Sequence, residues 1–124
     1  MNRSAWAVGK PGSVTARINE LYKAKTGREL DDTSARSMQA MLVLADAINR
    51  AGSTAPDKIM AALKATDLKA DQLIMGYRGV KFDAIGENSL AATYLVQLQG
   101  KDYISVWPTA TALAPLQWPM KGWK

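Results

Sequence analysis

The stretch TSARSMQAMLVLADAINRAG, residues 33–52, decides the fold because it predicts the longest and most apolar helix of the chain. Its apolar residues recur at steps of three and four, as on one face of an α-helix: Met38, Met41, Leu42, Ala45, Ile48 and Ala51. Val43 and Leu44 widen that face, so we expect the helix to be buried on more than one side. Asp32, Thr33 and Ser34 offer oxygen acceptors to the free N–H groups of its first turn. Gly52 can take the left-handed conformation that ends a helix. We therefore expect the other elements to pack on this helix.

A helix is predicted on each side of this central one. Ser13 can cap the first, which we expect to run to about Thr26 and to end at Gly27. Its apolar stripe consists of Val14, Ile18, Leu21 and Tyr22. Pro56 suits the first turn of the third helix, where its missing N–H costs nothing, and Thr66 is expected to close that helix. The inner face of the third helix is predicted to be Ile59, Met60, Ala62 and Leu63.

After the helices the sequence period changes to that of strands. Residues 73–75 of the intervening loop are expected to be covered. The segments GYRGVKF (76–82), LAATYLVQLQ (90–99) and YISVW (103–107) predict three strands joined as a meander, because apolar and polar residues alternate in the middle one. The chain then divides into an irregular start (1–12), a helical part (13–66), a strand part (76–107) and an extended tail (108–124).

Prolines and large apolar residues characterise that tail. Its three prolines predict an extended or irregular backbone. Trp118, Met120 and Trp123 favour a tail that lies across an apolar surface.

Composition excludes several kinds of chemistry. The 124 residues include no cysteine and no histidine, which rules out catalysis by either residue, disulfides and thiolate metal sites, and we expect no enzyme. The net charge is +5, but the basic residues are scattered singly, so we expect solvated surface charge and no nucleic-acid partner. No apolar run is long enough to span a bilayer, and the first residues do not read as a signal peptide.

Several segments, spaced along the chain in one order, carry a resemblance to a known family. They are INELYKAKTGRELDDTSARSMQAMLVLADAINRAGST, KIMAALKATDL, GVKFDAIGEN, LVQLQGKDYISVWP and the closing WPMKGW. Together they resemble the C-terminal part of a type I periplasmic substrate-binding protein of the branched-chain amino acid transporter group. Within it they resemble the extracellular ligand-binding receptors that end in a Val-Trp-Pro strand and a Trp-Pro-Met tail. The resemblance runs from about Ala5 to Trp123.

This resemblance implies an α/β fold class. Full-length members have two doubly wound lobes with the ligand held in the cleft between them. Residues 1–124 would be a C-terminal section of that two-lobed fold, with helices first and then a C-terminal β-meander. Such a fragment would bind weakly or not at all alone.

The function implied by the resemblance is solute binding without catalysis. The partners would be a small-molecule solute, an amino acid or a small aromatic or carboxylate compound, and, through the full-length parent, the membrane permease of an ABC transporter. The implied location is the periplasm, and no cofactor is implied. The alternative function is that of a small independent protein-interaction domain.

Two candidate ligand-binding residues open the central helix. Ser34 and Arg36 lie where the family places its cleft, and free N–H groups there can hold a ligand carboxylate. The structural alternatives are a helix cap for Ser34 and an ion pair with Asp31 or Asp32 for Arg36. Asp31 and Asp32 lack a third ligand at a useful spacing, so no metal site is expected.

Two more candidates precede the GVKF strand. Tyr77 and Arg78 can line the hinge or the cleft, and the alternatives are a packed tyrosine and a solvated arginine.

Apolar surface left open by missing parts of the parent fold would favour a homo-oligomer formed through the exposed faces.

Overall fold

Three helices precede two small antiparallel sheets in the computed structural model of the chain, which describes residues 11–110 and 112–119. The helices are α1 (Val14–Thr26), α2 (Asp32–Ala51) and α3 (Pro56–Lys64). The strands are β1 (Leu68–Lys69), β2 (Gly79–Val80), β3 (Leu95–Gln99) and β4 (Asp102–Trp107), and a 3₁₀ turn, Ala70–Gln72, follows β1. This mixture of helices and small antiparallel sheets agrees with the predicted α/β class at a coarse level. The predictions for residues 1–10, 111 and 120–124 lie outside the described residues.

The three predicted helices are present, and local residues set their ends. Ser13 caps α1, and Gly27, with φ at 71°, ends it as predicted. Gly52, with φ at 57°, ends α2 as predicted, but Asp31 caps the start of that helix. The predicted cap among Asp32, Thr33 and Ser34 is therefore wrong by one residue or more. α3 begins at the predicted proline and ends at Lys64, short of Thr66.

The buried face of α2 agrees with the predicted one only in part: Met38 and Leu42 are half-buried against the core and Val43 is buried. Its buried residues are spaced four apart: Ala35, Gln39, Val43 and Ala47. Met41, at the centre of the predicted face, is 61% exposed. The cause is polar: Gln39 Oε1 accepts hydrogen bonds from the backbone N–H groups of Ile74 at 2.7 Å and Met75 at 3.4 Å. These buried N–H groups need an acceptor, and only an inward Gln39 supplies it.

The segment Leu73, Ile74 and Met75 lies at the centre of the core, as predicted, with each residue at most 4% exposed. Ile74 and Met75 pack with Leu30 and Ala35, and half-buried residues of α1 and α2 pack against that cluster. Leu73 packs instead with Val43 and Val80. Thr15 Oγ1 donates a hydrogen bond to the carbonyl of Ile74 at 2.9 Å, which ties α1 to the same segment.

The predicted three-stranded meander is wrong. β2 pairs with β1, in the register Leu68 to Val80, and β3 pairs only with β4. The loop after β2 explains the separation, because Asp83 Oδ1 accepts from the N–H groups of Ile85 and Glu87 and turns the chain sharply. The chain then returns along β2, with a bridge from Phe82 to Asn88 and hydrogen bonds from the Ser89 N–H to the Lys81 carbonyl and from the Arg78 N–H to the Leu90 carbonyl. β3 starts only at Leu95, and not at residue 90.

Glutamine side chains hold the described part of the tail on the hairpin. Gln97 Nε2 donates to the carbonyl of Gln117 at 2.9 Å, and Gln97 Oε1 accepts from the N–H of Gln117 at 2.9 Å. Gln99 Nε2 donates to the carbonyl of Pro115 at 3.0 Å. Trp118 is 81% exposed, so the prediction that it lies across an apolar surface is wrong. Met120 and Trp123 lie outside the described residues.

Within the described ranges, no helix combines the length and the apolar character that crossing a bilayer requires.

Candidate functional site

A cleft of about 1000 Å³ lies between the start of α2, the segment 75–78 and the β3–β4 hairpin with the residues that precede it. We call it the charged cleft. Its lining is Asp32, Arg36, Ala70, Met75, Gly76, Tyr77, Arg78, Ala91, Ala92, Thr93, Tyr94, Val96, Trp107 and Pro108. Residues 73–75 are buried in the core, where Ile74 and Met75 pack with Ala35 of the first turn of α2. The chain that follows them therefore lies beside the start of that helix.

Three of the four predicted ligand-binding residues line the charged cleft. Arg36 comes from the first turns of α2, and Tyr77 and Arg78 come from the segment just before β2. Tyr77 is half-buried and also packs against both core clusters, so its predicted packing role is present as well. Arg36 and Arg78 are exposed. The structure brings these side chains to one place, and their contact with a ligand stays a prediction.

Ser34 does not line the charged cleft, and its hydrogen bonds are those of a helix cap. Its N–H donates to Asp31 Oδ1 at 2.7 Å and its hydroxyl donates to the same oxygen at 2.8 Å. In return, the N–H of Asp31 donates to Ser34 Oγ at 2.9 Å. These bonds from the backbone and side chain of Ser34 hold the pKa of Asp31 below its ordinary value. The free N–H that could have held a ligand carboxylate is thus already used.

Tyr94 lines the charged cleft although sequence reasoning placed it only in a strand. The pKa of its half-buried hydroxyl is raised to about 12, chiefly by burial and then by the nearby negative charge of Asp32, while Arg36 acts in the opposite direction. The sequence signal that could have found it is its position after the small residues 91–93, which leave room beside a large ring. Tyr94 therefore presents a protonated hydroxyl to the cleft at neutral pH.

The lining combines charges of both signs with aromatic rings. Arg36 and Arg78 can hold an anionic group by charge-assisted hydrogen bonds, and Asp32 can hold a cationic one. Tyr77, Tyr94 and Trp107 offer ring surface to an apolar or aromatic part of a ligand. A concave site with a few convergent polar groups on an apolar wall is the usual form of a small-molecule binding site.

A second cleft, of about 440 Å³, is almost wholly apolar. Val43 and Leu44 of α2, Leu63 of α3, and Val80 and Phe82 form its walls. Gln39 also lines it, and among the described residues no group bonds its buried Nε2. A bound water is the usual partner of such a buried donor.

Carboxylates do not gather into a metal site in the part of the chain that the structure describes: no three acidic residues there could hold a metal ion.

No family model matches the chain. Curated relatives do match. The "Leu/Ile/Val-binding protein homolog 8" of Brucella abortus is 31% identical over 99 residues, which are 79% of this chain and 24% of that protein. The "Leu/Ile/Val-binding protein homolog 7" of Brucella suis is 30% identical over 101 residues, 81% of this chain and 25% of that protein. The chain spans about a quarter of the length of the curated relatives it matches. It is thus a distant relative, over about four-fifths of its own length, of proteins named for binding leucine, isoleucine and valine.

Proposed function

We propose that the chain is a solute-binding section of a type I periplasmic binding protein and that its solute, an α-amino acid or a small carboxylate, lies in the charged cleft. The observation that carries the proposal is the meeting of Arg36, Tyr77 and Arg78 in one cleft. These residues supply an anion-binding group and a ring surface, which are the chemistry that such a solute needs. The names of the Brucella relatives favour an amino acid as the solute.

The proposal extends to the parent protein. In it, the chain would form the C-terminal section of the two-lobed fold, and the rest of the protein would close over the solute and deliver it to the permease of an ABC transporter. The periplasm is the compartment in which that delivery takes place. Binding, and not catalysis, is the role proposed for the site. Because the matched relatives are about four times longer, we expect the chain alone to bind in the millimolar range.

The second candidate function is a small protein-interaction domain that uses its tail. Leu116 and Trp118 favour it, because they are 60% and 81% exposed on the described part of the tail. Tryptophan is enriched among the residues that anchor interfaces, and an exposed leucine adds apolar surface. A monomer with a cooperative melt and no affinity for any small solute would favour this function.

Thermal melts with a panel of solutes test the first proposal. The panel contains leucine, isoleucine, valine, phenylalanine, glutamate and benzoate, each raised well into the millimolar range. A solute present at about ten times its Kd stabilises the fold by about 1.4 kcal/mol, so at least one panel member is expected to raise Tm by a measurable amount.

Arginine variants show whether such binding uses the charged cleft. Arg36→Met is expected to remove the rise in Tm. Arg17→Met is the matched control, because Arg17 is an exposed arginine of α1 that does not line the charged cleft. A chain that melts cooperatively but responds to no solute of the panel would contradict the proposed function.

A further inference from the structure

The cleft of about 440 Å³ combines apolar walls with a single charged residue, and we call it the apolar cleft. Its walls come from α2, α3 and the segment that starts with β2: Val43, Leu44, Leu63, Val80 and Phe82. Among the described residues that line it, only Arg36 carries a charge. Arg36 is exposed, so its guanidinium is open to an anion in water. A cation beside an apolar groove complements a ligand that joins an anionic group to an apolar body.

The uncharged polar residues of this lining offer little to a ligand. Asn88 Oδ1 accepts from the backbone N–H groups of Lys81 at 3.0 Å and Leu90 at 3.1 Å, and its Nδ2 donates to the carbonyl of Gly79 at 3.0 Å. Gln39 Nε2 is buried within the wall and does not reach the surface. Apart from Arg36, the surface is therefore suited to a hydrocarbon tail.

The apolar cleft and the charged cleft are neighbours with a common wall, because Arg36, Met75 and Tyr77 line both of them. Arg36 can therefore bond an anionic group at the border while the rest of the ligand extends along the apolar walls. A cavity of about 150 Å³ can hold benzene, so a cleft of about 440 Å³ has room for a tail of about six to eight carbon atoms.

We propose that the solute is a monocarboxylate with an unbranched hydrocarbon tail of about six to eight carbon atoms, whose carboxylate bonds Arg36 and whose tail lies in the apolar cleft. This inference rests on the proposed solute-binding function, since it uses the same arginine, and it names the solute class. Within the described part of the chain, no acidic residue lines the apolar cleft to pair with an ammonium group. The proposed class thus differs from the amino acids in the names of the relatives.

A series of ligands tests the assignment by titration calorimetry on the whole chain: butanoate, hexanoate, octanoate, octan-1-ol and leucine. Burial of one methylene group raises affinity by about fourfold, so in an open cleft we expect each step of two carbon atoms to tighten binding roughly tenfold. Octan-1-ol has the tail without the charge and is expected to bind at least about threefold more weakly than octanoate.

A variant that fills the apolar cleft shows whether the tail lies there. Ala40 is exposed and lines the cleft, so Ala40→Phe places a ring in it without removing a core side chain. Octanoate is then expected to bind no more tightly than butanoate. Ala45→Phe is the matched control, because Ala45 is exposed on the same helix and lines neither cleft, and the gain with tail length is expected to remain.

A second variant assigns the carboxylate to its residue. Arg36→Met is expected to weaken octanoate to the level of octan-1-ol and to leave octan-1-ol unchanged. Arg17→Met, outside both clefts, is expected to bind both ligands as the unaltered chain does. A circular-dichroism melt of each variant shows that it is folded.

The outcomes separate this inference from the function on which it rests. Equal affinities for butanoate and octanoate, an undiminished gain with tail length in Ala40→Phe, or tighter binding of leucine than of octanoate would each overturn the inference; a response in the melting panel would then leave solute binding standing. A lower solution mass for ligand-free Ala40→Phe than for the unaltered chain would show that a second copy fills the cleft, which also overturns the inference. Failure of both the panel and the alkanoates would overturn the inference and the proposed function together.

Discussion

Tyr94 keeps its proton to a higher pH than a free tyrosine, because its half-buried hydroxyl disfavours the phenolate and Asp32 adds a like charge. The pKa of about 12 lies above the value of about 10 that an unfolded tyrosine has. Between these two values the unfolded chain releases the proton while the folded chain keeps it. Folding therefore loses stability as pH rises through this window, and the Tyr94 contribution is fully present below pH of about 10.

Removal of the hydroxyl is expected to flatten this part of the stability profile. The free energy of unfolding, measured with urea at steps of pH between about 9 and 12, is expected to fall less steeply for Tyr94→Phe than for the unaltered chain. Parallel profiles for the two proteins would contradict the assignment of the raised pKa to Tyr94.

Gln39 is a second residue whose buried environment decides how much its substitution changes the free energy of unfolding. Gln39→Leu leaves the buried N–H groups of Ile74 and Met75 without their acceptor, and is expected to lower the free energy of unfolding by about 1–3 kcal/mol. Gln72→Leu is the control. Gln72 Oε1 also accepts a backbone N–H, that of Lys69 at 2.9 Å, but it is exposed and water can replace it, so a change within about 0.5 kcal/mol is expected. Equal urea midpoints for the two variants would contradict the role given to Gln39.

At the scale of elements, the pairing of β1 with β2 depends on the absence of a side chain. A Cβ at Gly79 would lie 2.7 Å from the carbonyl oxygen of Leu68 and 2.7 Å from Leu90 Cδ1. The first of these atoms is backbone of the paired strand and cannot turn aside. Gly79→Ala is therefore expected to separate the strands or shift Leu90, at a cost of roughly 1–3 kcal/mol in the urea-measured free energy of unfolding.

Gly76→Ala is the matched control for that substitution. Its Cβ would meet the Tyr94 ring at Cδ1, 3.6 Å away, and at Cε1, 4.0 Å away, which are ordinary contacts, and we expect a change within about 0.5 kcal/mol. A larger loss for Gly76→Ala than for Gly79→Ala would show that the close approach of β1 and β2 is not what restricts the position.

The ends of the helices could be predicted because they depend on neighbouring residues. Ser13, Gly27, Gly52 and Pro56 act within one turn of their own positions. The buried face of α2 could not be predicted in the same way, since Gln39 turns inward for N–H groups 35 and 36 residues away. The prediction of strand pairing was wrong for a similar reason. The partner of β2 is β1, a segment of two residues whose sequence has no alternation to reveal it.

Those residues of the candidate site could be predicted that are next in sequence to a predicted helix or strand. Arg36 follows the predicted helix start, and Tyr77 and Arg78 precede the predicted strand. Tyr94 and Trp107 were not predicted as site residues, because they line the cleft only in a fold whose β3–β4 hairpin is not paired with β2. That separation is a tertiary feature, and strand propensity alone does not contain it.

At the scale of the whole molecule, one face of the hairpin is apolar and open. Val96, Leu98, Tyr103 and Trp107 are each at least 40% exposed. Leu98 pairs directly with Tyr103 across the two strands, so their side chains share this face. Such a surface favours self-association, as the sequence led us to expect.

Light scattering is expected to give a solution mass above the 13.4 kDa of one chain. Leu98→Lys places a charge at the centre of the open face and is expected to shift the mass toward that of a monomer. Ile85→Lys is the control, because Ile85 is 80% exposed in the turn between β2 and β3 and is not part of the hairpin, so this variant is expected to leave the mass unchanged. A monomeric mass for the unaltered chain would contradict self-association.

The two hydrogen bonds between Gln97 and Gln117 have a consequence for the alignment of the chain end. The carboxamide of Gln97 imitates a peptide group, so it needs a residue with both an N–H and a carbonyl opposite it. In an extended segment, a slip of one residue turns these groups to the other side, and a slip of two restores their direction. Two residues away stand Pro115 and Pro119, and neither has an N–H to donate. The flanking prolines thus leave Gln117 as the residue that can form both bonds with Gln97. The bond from Gln99 to the Pro115 carbonyl supports the same alignment of the last described segment.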